Sequence, residues 1–118
     1  MKITVEELEE YLYGHYGSRA NEQSMFMKLV EEMGEVAEVL NKRAGRKSTD
    51  ETDLQTQLAN ELADVIHYTV AIAAINGIDL NDVILDKDKK ASIKYNHDVD
   101  LETFVRNRRE QENHGQET

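Results

Sequence analysis

Apolar residues recur every three or four positions along most of this chain of 118 residues, a spacing that places them on one side of a helix. Polar residues and glycines interrupt the pattern at a few places only. The pattern therefore predicts an all-α protein, an antiparallel helical bundle of four main helices. The predicted helices run from Thr4 to Gly14 or Gly17, from Asn21 or Ser24 to about Ala44, from about Leu54 to Asn76, and from about Leu80 to Tyr95.

Short polar signals mark the ends of these helices. Thr4 followed three residues later by Glu7 is typical of a capping box, and Asp79 is placed to cap the fourth helix. Residues 46–52 are polar and lack periodicity, which predicts a flexible connector that could act as a lid. Residues from Asp100 onward are expected to form one or two more helical turns before a polar tail.

The third predicted helix is apolar on nearly every side, most of all over residues 62–75. This segment is too short, and too interrupted by Asp64 and His67, to span a bilayer, so we expect a core helix. A helix that is apolar all round needs cover from every direction. We therefore expect the chain to assemble as a homodimer or homotetramer.

Length and composition limit the possible functions. A chain of 118 residues is expected to be one small domain, here with a core at about residues 20–95 and a C-terminal tail at 96–118. It contains no cysteine, and its start lacks the apolar run of a signal peptide, so we expect a cytoplasmic protein. The 14 basic and 24 acidic residues give a net charge of -10, which argues against binding a nucleic-acid duplex.

Acidic residues stand inside two otherwise apolar helical stretches. Residues three or four apart share a helix face, so Glu32 and Glu35 can point at one place from the second helix, as can Glu61 and Asp64 from the third. At about 100° per residue, Glu32 falls inside the apolar arc and Glu35 at its edge, whereas Glu31 lies outside it. The arc consists of Met25, Leu29, Met33, Val36, Val39 and Leu40.

Carboxylates in such positions need a compensating charge. An ionised carboxylate that leaves water without a partner costs on the order of several kcal/mol. Raised pKa values or basic partners could compensate, but neither acidic pattern has a Lys or Arg at a spacing that would bury beside it. A hard divalent cation fits best, and Mg²⁺, with Mn²⁺ as an alternative, prefers oxygen ligands. The competing interpretation is a solvated acidic face on an acidic protein.

Basic and aromatic residues on the third and fourth predicted helices allow two interpretations. Lys87, Lys90 and Lys94 lie within about 60° of one another on it, so they could face phosphate or simply form a solvated face. Tyr68 and Tyr95 suit stacking on a base, although packing in a core is the more frequent use of tyrosine. The sequence alone leaves these interpretations open.

The two acidic patterns, taken in order, resemble those of a known family. Glu-Glu-x-x-Glu at residues 31–35, followed by Glu-x-x-Asp at residues 61–64, is similar to the pattern of the all-α nucleoside triphosphate pyrophosphohydrolases. This is the MazG-like group, related to dimeric dUTPases and to the mammalian dCTP pyrophosphatase. The resemblance covers about residues 20–95. It implies a helical bundle that forms dimers or tetramers and cleaves a nucleoside triphosphate to the monophosphate and pyrophosphate.

The resemblance also implies roles for the acidic residues. Glu32, Glu35, Glu61 and Asp64 match the acids that bind Mg²⁺ in the family. In a mechanism consistent with this, a carboxylate activates water at the α-phosphorus. Glu35 is better placed than Glu31 for that step, but either could be the catalytic base.

The family's fourth helix often carries a Lys, then an Asn, then a basic residue followed by an aromatic one. Lys87, Lys94 and Tyr95 match this spacing, and the resemblance implies that they bind substrate. Ala91 stands where the Asn would be. The departure removes one polar contact to the substrate, so a nucleotide preference cannot be carried over.

Two further functions remain open. The fold could serve as a non-catalytic nucleotide- or metal-binding module or as a regulatory dimer. A di-iron or di-manganese redox bundle would use a carboxylate and a histidine three residues apart, as Asp64 and His67 are, but the second such pair is missing. For His67 we favour a hydrogen-bonded position in a core or interface.

Overall fold

The computed structural model describes residues 1–45 and 53–117. Those residues form five α-helices and one short 3₁₀ helix, with no strand among them, so the prediction of an all-α protein is confirmed. The connector and lid predicted at residues 46–52 lie outside the described residues. The helices are α1 (Val5–Tyr16), the 3₁₀ helix (Arg19–Asn21), α2 (Glu22–Arg43), α3 (Leu54–Ile75), α4 (Leu80–Lys94) and α5 (Leu101–Glu117).

Side chains fix the ends of the helices where the sequence predicted them. The Thr4 hydroxyl accepts a hydrogen bond from the Glu7 N–H at 3.1 Å, and the Glu7 carboxylate accepts one from the Thr4 N–H at 2.8 Å. Gly17 ends α1 with φ of 71°, in the left-handed region that a Cβ disfavours. Asp79 caps α4 by accepting from the Asp82 N–H at 3.3 Å. The capping box and the Asp79 cap are therefore confirmed.

Helices α2 and α3 contain 22 residues each and pack antiparallel. At one end the Asn76 side-chain amide donates to Glu22 at 2.8 Å. Ten residues further along α2, Glu32 meets Glu61 and Asp64 of α3. Residue numbers therefore rise along α2 where they fall along α3. This antiparallel arrangement brings the two acidic patterns next to each other.

The chain divides into two compact units, Met1–Ile78 and Asp79–Thr118. In the second unit, the Leu101 N–H donates to the Asp88 carboxylate at 2.6 Å, so α4 is tied to the start of α5. The single domain and the four-helix bundle stay predictions. The core of the first unit consists of Leu12, Met25, Val39, Val70, Ala71, Ala73, Ala74 and Ile75.

The end of the chain differs from its prediction. The sequence predicted one or two turns and then a tail, whereas α5 has 17 residues. At the start of α5, Asp100 accepts a hydrogen bond from the Thr103 N–H at 2.8 Å. Later in the helix, Arg108 pairs at 3.4 Å with Glu112, which lies one turn after it. Local pairs of this kind stabilise a helix that has few apolar residues, which is why apolar periodicity did not reveal it.

Part of the apolar arc predicted on α2 is exposed. Met33 and Leu40 were expected to complete the buried face, but 54% and 47% of their surfaces are accessible. The helical periodicity of the sequence gave the wrong prediction here, because it cannot distinguish an apolar face that packs inside the chain from one that is exposed. The exposed residues at intervals of four and three along α2 form what we call the α2 stripe: Phe26, Val30, Met33, Ala37 and Leu40.

Helix α3 is also open on one side. Leu62 and Ile66, one turn apart, are 45% and 57% exposed. Among the described residues, α3 alone is long and apolar enough to cross a membrane by length and composition, a test that core helices of soluble proteins also pass. Its packing against α1 and α2 agrees with the expected core helix.

Candidate functional site

Three acidic side chains meet between α2 and α3. One carboxylate oxygen from each of Glu32, Glu61 and Asp64 lies within 4.8 Å of the others. Glu61 and Asp64 reach this point together because residues three apart share a helix face, and the antiparallel packing supplies Glu32 from the opposite helix. The structure thus brings together three of the four acids that the sequence proposed as metal ligands. We call Glu32, Glu61 and Asp64 the acidic cluster.

The fourth acid lies beside this cluster. The Glu35 carboxylate is within hydrogen-bonding reach of the Glu61 side chain, one turn along α2 from Glu32. Glu31, the other proposed base, is different: it is exposed and pairs with Lys28 at 3.5 Å. Sequence analysis placed Glu32 inside the apolar arc, Glu35 at its edge and Glu31 outside it. In the structure Glu32 and Glu35 are partly buried, whereas Glu31 is exposed.

Burial makes it unfavourable for all three carboxyl groups of the cluster to be ionised at once. Atom Oε2 of Glu32 and atom Oε2 of Glu61 are buried and have no hydrogen-bond partner among the residues that the structure describes. Hydrogen bonding of a protonated Glu61 to Glu32 and then to Glu35, followed by burial and the nearby negative charges, raises the pKa of Glu61 to about 8. Without a cation, the site therefore holds a proton at neutral pH.

The donor set fits a hard divalent cation. All ligand atoms of the cluster are carboxylate oxygens, which suit Mg²⁺ or Mn²⁺ rather than a soft metal. The two buried oxygens without partners are the atoms that such an ion would compensate. Asp64 is exposed, so the cluster is open on that side to water or to a ligand's phosphate.

His67 lies outside the acidic cluster. Its Nε2 atom and the Tyr16 hydroxyl share a hydrogen bond of 2.7 Å. Its ring also packs edge to face with those of Tyr16 and Tyr68, at centroid distances of 5.8 and 4.9 Å. The hydrogen-bonded position favoured from the sequence is confirmed, and the arrangement gives no support to a carboxylate–histidine metal site.

A cleft of about 260 Å³ opens next to the acids, between the end of α1, the start of α2 and α3. Among its walls, sequence analysis proposed only Tyr68 as a residue that could contact a ligand. The other residues were missed because they come from separate segments and share no periodic pattern; their one signal is position, since Lys28 precedes Glu32 by one turn. The lining residues are Tyr16, Asn21, Ser24, Met25, Lys28 and Tyr68.

The proposed substrate-binding residues lie on α4, in the second unit. The Lys94 ammonium lies 5.3 Å from the centroid of the Tyr95 ring, a cation–π contact that places these two side chains together. Lys87 is exposed two turns earlier on the same helix. Lys90, on the same side of α4 as Lys87 and Lys94, pairs with Asp86 at 2.9 Å. The role of Lys87, Lys94 and Tyr95 stays a prediction.

Comparison with known families agrees with these acidic patterns. The MazG nucleotide pyrophosphohydrolase domain matches residues 20–98, a range that contains the whole acidic cluster and α4. The chain belongs to the MazG family. A comparison with curated proteins finds no significant match.

Solved structures show the same fold as this MazG chain. Ntag-iMazG from Vibrio DAT 722 is 29% identical, with a TM-score of 0.59; the match covers 80% of this chain and 100% of that one. Ctag-iMazG from the same source is 27% identical, with a TM-score of 0.58, and covers 76% of this chain and 99% of its own. The all-α MazG fold implied by the resemblance is therefore confirmed.

Proposed function

We propose that this MazG-family chain is a Mg²⁺-dependent nucleoside triphosphate pyrophosphohydrolase, which cleaves an NTP or dNTP to the monophosphate and pyrophosphate. The observation that carries the proposal is the acidic cluster, with two buried oxygens that lack partners in the described chain. Membership in a nucleotide pyrophosphohydrolase family supplies the reaction class. The cytoplasm, where nucleoside triphosphates are made and used, is the proposed location.

In this proposal Glu32, Glu61 and Asp64 hold the divalent ion, and Glu35 stands beside them. Mg²⁺, or Mn²⁺ in its place, would supply positive charge that screens the phosphate oxygens and the negative charge developing on them. The protein's part is to hold the carboxylates at fixed positions on two packed helices, so the site is formed before substrate arrives. The proton on Glu61 has to leave when the ion binds.

Glu35 is the proposed general base. Its carboxylate accepts a proton from the attacking water as the water oxygen bonds to the α-phosphorus. The bond from the α-phosphorus to the oxygen bridging to the β-phosphorus breaks, and pyrophosphate leaves with that bond's electron pair. Glu31 is the second candidate, but its exposure and its pairing with Lys28 favour Glu35.

Binding of the triphosphate is assigned to α4. Lys87 and Lys94 would contribute positive charge to the phosphates and to the leaving pyrophosphate, and Tyr95 an aromatic surface. The contact between Lys94 and Tyr95 supports treating these two as one element. In an acidic protein, a few local lysines and a metal ion can hold a nucleotide even though the overall charge repels a duplex.

We also propose a homodimer or homotetramer. The α2 stripe has the spacing of alternating four and three residues that packs one helix against another. The exposed Leu62 and Ile66 on α3 add apolar surface close to the acidic cluster. Contact with a second copy would cover both faces and shelter the site from water.

The test is a panel of normal, deoxy and oxidised nucleoside triphosphates with Mg²⁺ or Mn²⁺, with separate detection of monophosphate and pyrophosphate. We expect both products in equal amounts, metal-dependent, and lost in Asp64→Asn with unchanged helical circular dichroism. Phosphate release instead of pyrophosphate would contradict the proposal. Binding of nucleotide without any turnover would favour the non-catalytic module, and metal-dependent absorbance would favour a redox bundle.

A further inference from the structure

One side-chain amide joins the end of α3 to the start of α2. Asn76, the residue after α3, accepts a hydrogen bond from Arg19 Nε at 3.2 Å through its Oδ1 atom. Its Nδ2 atom donates to the Glu22 carboxylate and to the Ile72 carbonyl, both at 2.8 Å. A side-chain amide has two N–H donors and one carbonyl acceptor, so these bonds engage every polar group of Asn76. We call Asn76, Arg19 and Glu22 the α2–α3 junction.

The backbone confines the residue after Asn76 to glycine. Gly77 has φ of 66°, in the left-handed region, where a side chain would add strain. Its N–H donates to the Ala74 carbonyl at 3.1 Å, and the Ile78 N–H donates to the Ala73 carbonyl at 3.0 Å, which closes the end of the helix. The junction therefore requires an amide at position 76 followed by glycine at position 77.

Asn–Gly is also the dipeptide in which asparagine most readily loses ammonia. The glycine backbone nitrogen can attack the asparagine Cγ atom, because no side chain on the glycine blocks the approach. The N–Cγ bond forms, the Cγ–Nδ2 bond breaks, and ammonia leaves with that electron pair and the proton of the glycine N–H. Water then opens the succinimide at either carbonyl carbon, returns a proton to the glycine nitrogen, and gives aspartate or isoaspartate. The chain contains this dipeptide once, at residues 76–77.

The folded junction opposes this reaction at both reacting groups. The Gly77 N–H is bonded to Ala74, and the Asn76 amide is held by its three hydrogen bonds. To react, the amide must leave Arg19 and Glu22 so that its Cγ atom can reach the Gly77 nitrogen. Deamidation therefore requires a local opening of the junction, and its rate follows the population of the open form.

The product of the reaction cannot make the same contacts. An aspartate at position 76 has no N–H donor, so the hydrogen bonds to the Glu22 carboxylate and the Ile72 carbonyl are lost. Its negative charge also repels Glu22, which leaves Arg19 as the favourable partner in the junction. A junction that has reacted therefore closes less tightly than before.

We propose that Asn76 is a site of spontaneous deamidation that the α2–α3 junction protects, and that its conversion to aspartate or isoaspartate loosens the hold of α3 on the start of α2. Water is the co-reactant, and no enzyme is required. The modification accumulates in chains whose junction has opened. It does not depend on the reaction proposed for the acidic cluster.

The rate of deamidation tests the protection. The protein is incubated at pH 8, either folded or unfolded in urea, then digested in mild acid and analysed by mass spectrometry for replacement of the Asn76 amide NH₂ by OH. We expect the folded protein to react about a hundredfold more slowly, the factor that corresponds to three ordinary hydrogen bonds. Asn96 is the internal control: it is exposed but precedes His97, whose side chain hinders the attack, so it should react far more slowly than Asn76 in urea.

Variants of the junction test whether its opening controls the rate. Glu22→Ala and Arg19→Ala each remove one partner of the Asn76 amide. Each should speed deamidation of the folded protein about tenfold and leave the rate in urea unchanged. Glu10→Ala, at an exposed position on α1, is the matched control and should change neither rate.

The effect of the modification on the fold is measured with a variant that carries the product. Asn76→Asp should lower the melting temperature by about 5 °C, for two lost hydrogen bonds. Gln23→Glu makes the same change from amide to acid at an exposed neighbour of Glu22 and should leave the melting temperature unchanged.

Each outcome supports or overturns a defined part of the proposal. No reaction at Asn76 in the unfolded chain would remove the site itself. Equal rates in the folded and unfolded chain, or no acceleration in both Glu22→Ala and Arg19→Ala, would show that the junction gives no protection. An unchanged melting temperature in Asn76→Asp would overturn the loosening of α3 from α2.

Discussion

The carboxyl groups of Glu32 and Glu61 meet across the antiparallel helices α2 and α3, and each buries its Oε2 atom without a hydrogen-bond partner in the described chain. Two neighbouring carboxyl groups that are partly buried repel each other when both are ionised. The metal-free protein relieves this repulsion with a proton on Glu61. A divalent cation would relieve it further, so metal binding, proton release and stability should be linked at this pair.

Glu61→Gln should abolish the effect of Mg²⁺ on stability. The amide keeps the shape of the side chain, removes one charge and can donate to Glu32 or Glu35. We expect the variant to be at least as stable as the wild type in EDTA at pH 8. At a hundred times its dissociation constant, Mg²⁺ should stabilise the wild type by about 2.7 kcal/mol. Thermal unfolding with and without Mg²⁺ measures both effects.

The control for this experiment is Glu10→Gln, an exposed glutamate on α1. It should respond to Mg²⁺ as the wild type does. An equal Mg²⁺-dependent shift in Glu61→Gln would show that the ion binds elsewhere.

Stability in EDTA should fall as pH rises. The ordinary pKa of a glutamate is 4.5, and that of Glu61 in the folded protein is about 8, so the folded state binds the extra proton between these values. The stabilisation from this proton is complete below about pH 4.5 and is lost as pH passes 8. Asp53 and Asp100, which cap helices, have lowered pKa values, so they stay ionised across this window and add no slope.

Unfolding in denaturant at several pH values between 5 and 8.5 measures this slope. Glu61→Gln should flatten it, and saturating Mg²⁺ should do the same. Isothermal titration of Mg²⁺ at pH 7 in buffers of different ionisation enthalpy should detect proton release. A pH-independent stability in EDTA would rule out the shared proton.

The acidic site could be predicted from sequence because it depends on local geometry. The placing of Glu32 and Glu35 near an apolar arc follows from one helix, and only the packing of α2 against α3 had to be supplied by the fold. The cleft was not predictable, since Tyr16 and Asn21 meet Tyr68 through tertiary packing alone. Sequence analysis also predicted that Met33 is buried, whereas it is exposed, because an exposed apolar helix face has the same sequence pattern as a buried one.

The two candidate bases should differ strongly in their effects on turnover. Glu35→Gln should lower kcat by about 10²–10⁴, the usual contribution of general base catalysis. Glu31→Gln should lower it less than about tenfold, since Glu31 is exposed and pairs with Lys28. Steady-state kinetics with saturating Mg²⁺ make the comparison. A larger loss in Glu31→Gln than in Glu35→Gln would reverse the assignment.

The lysines on α4 offer a matched comparison. Lys87→Gln and Lys94→Gln should each raise KM for the triphosphate about tenfold, as expected for one charge-assisted contact to phosphate. Lys90→Gln should change KM little, because Lys90 pairs with Asp86 at 2.9 Å and belongs to a solvated face. Equal effects at all three positions would indicate general electrostatic attraction instead of a defined phosphate site.

The α2 stripe should mediate self-association. Val30→Glu places a charge in the middle of the stripe, where a second copy would bury it at a cost of several kcal/mol. We expect the wild type to have two or four times the chain mass of 13.5 kDa in analytical ultracentrifugation, and the variant to have the mass of one chain. Met27→Glu adds the same side chain at an exposed α2 position about 100° around the helix from Phe26, outside the stripe, and should keep the wild-type mass. Circular dichroism checks that the helices persist.

An assembly that survives Val30→Glu would have its interface on another face of the protein. A monomeric wild type would contradict the proposed association, because the apolar surface of α2 and α3 would then have no second copy to cover it.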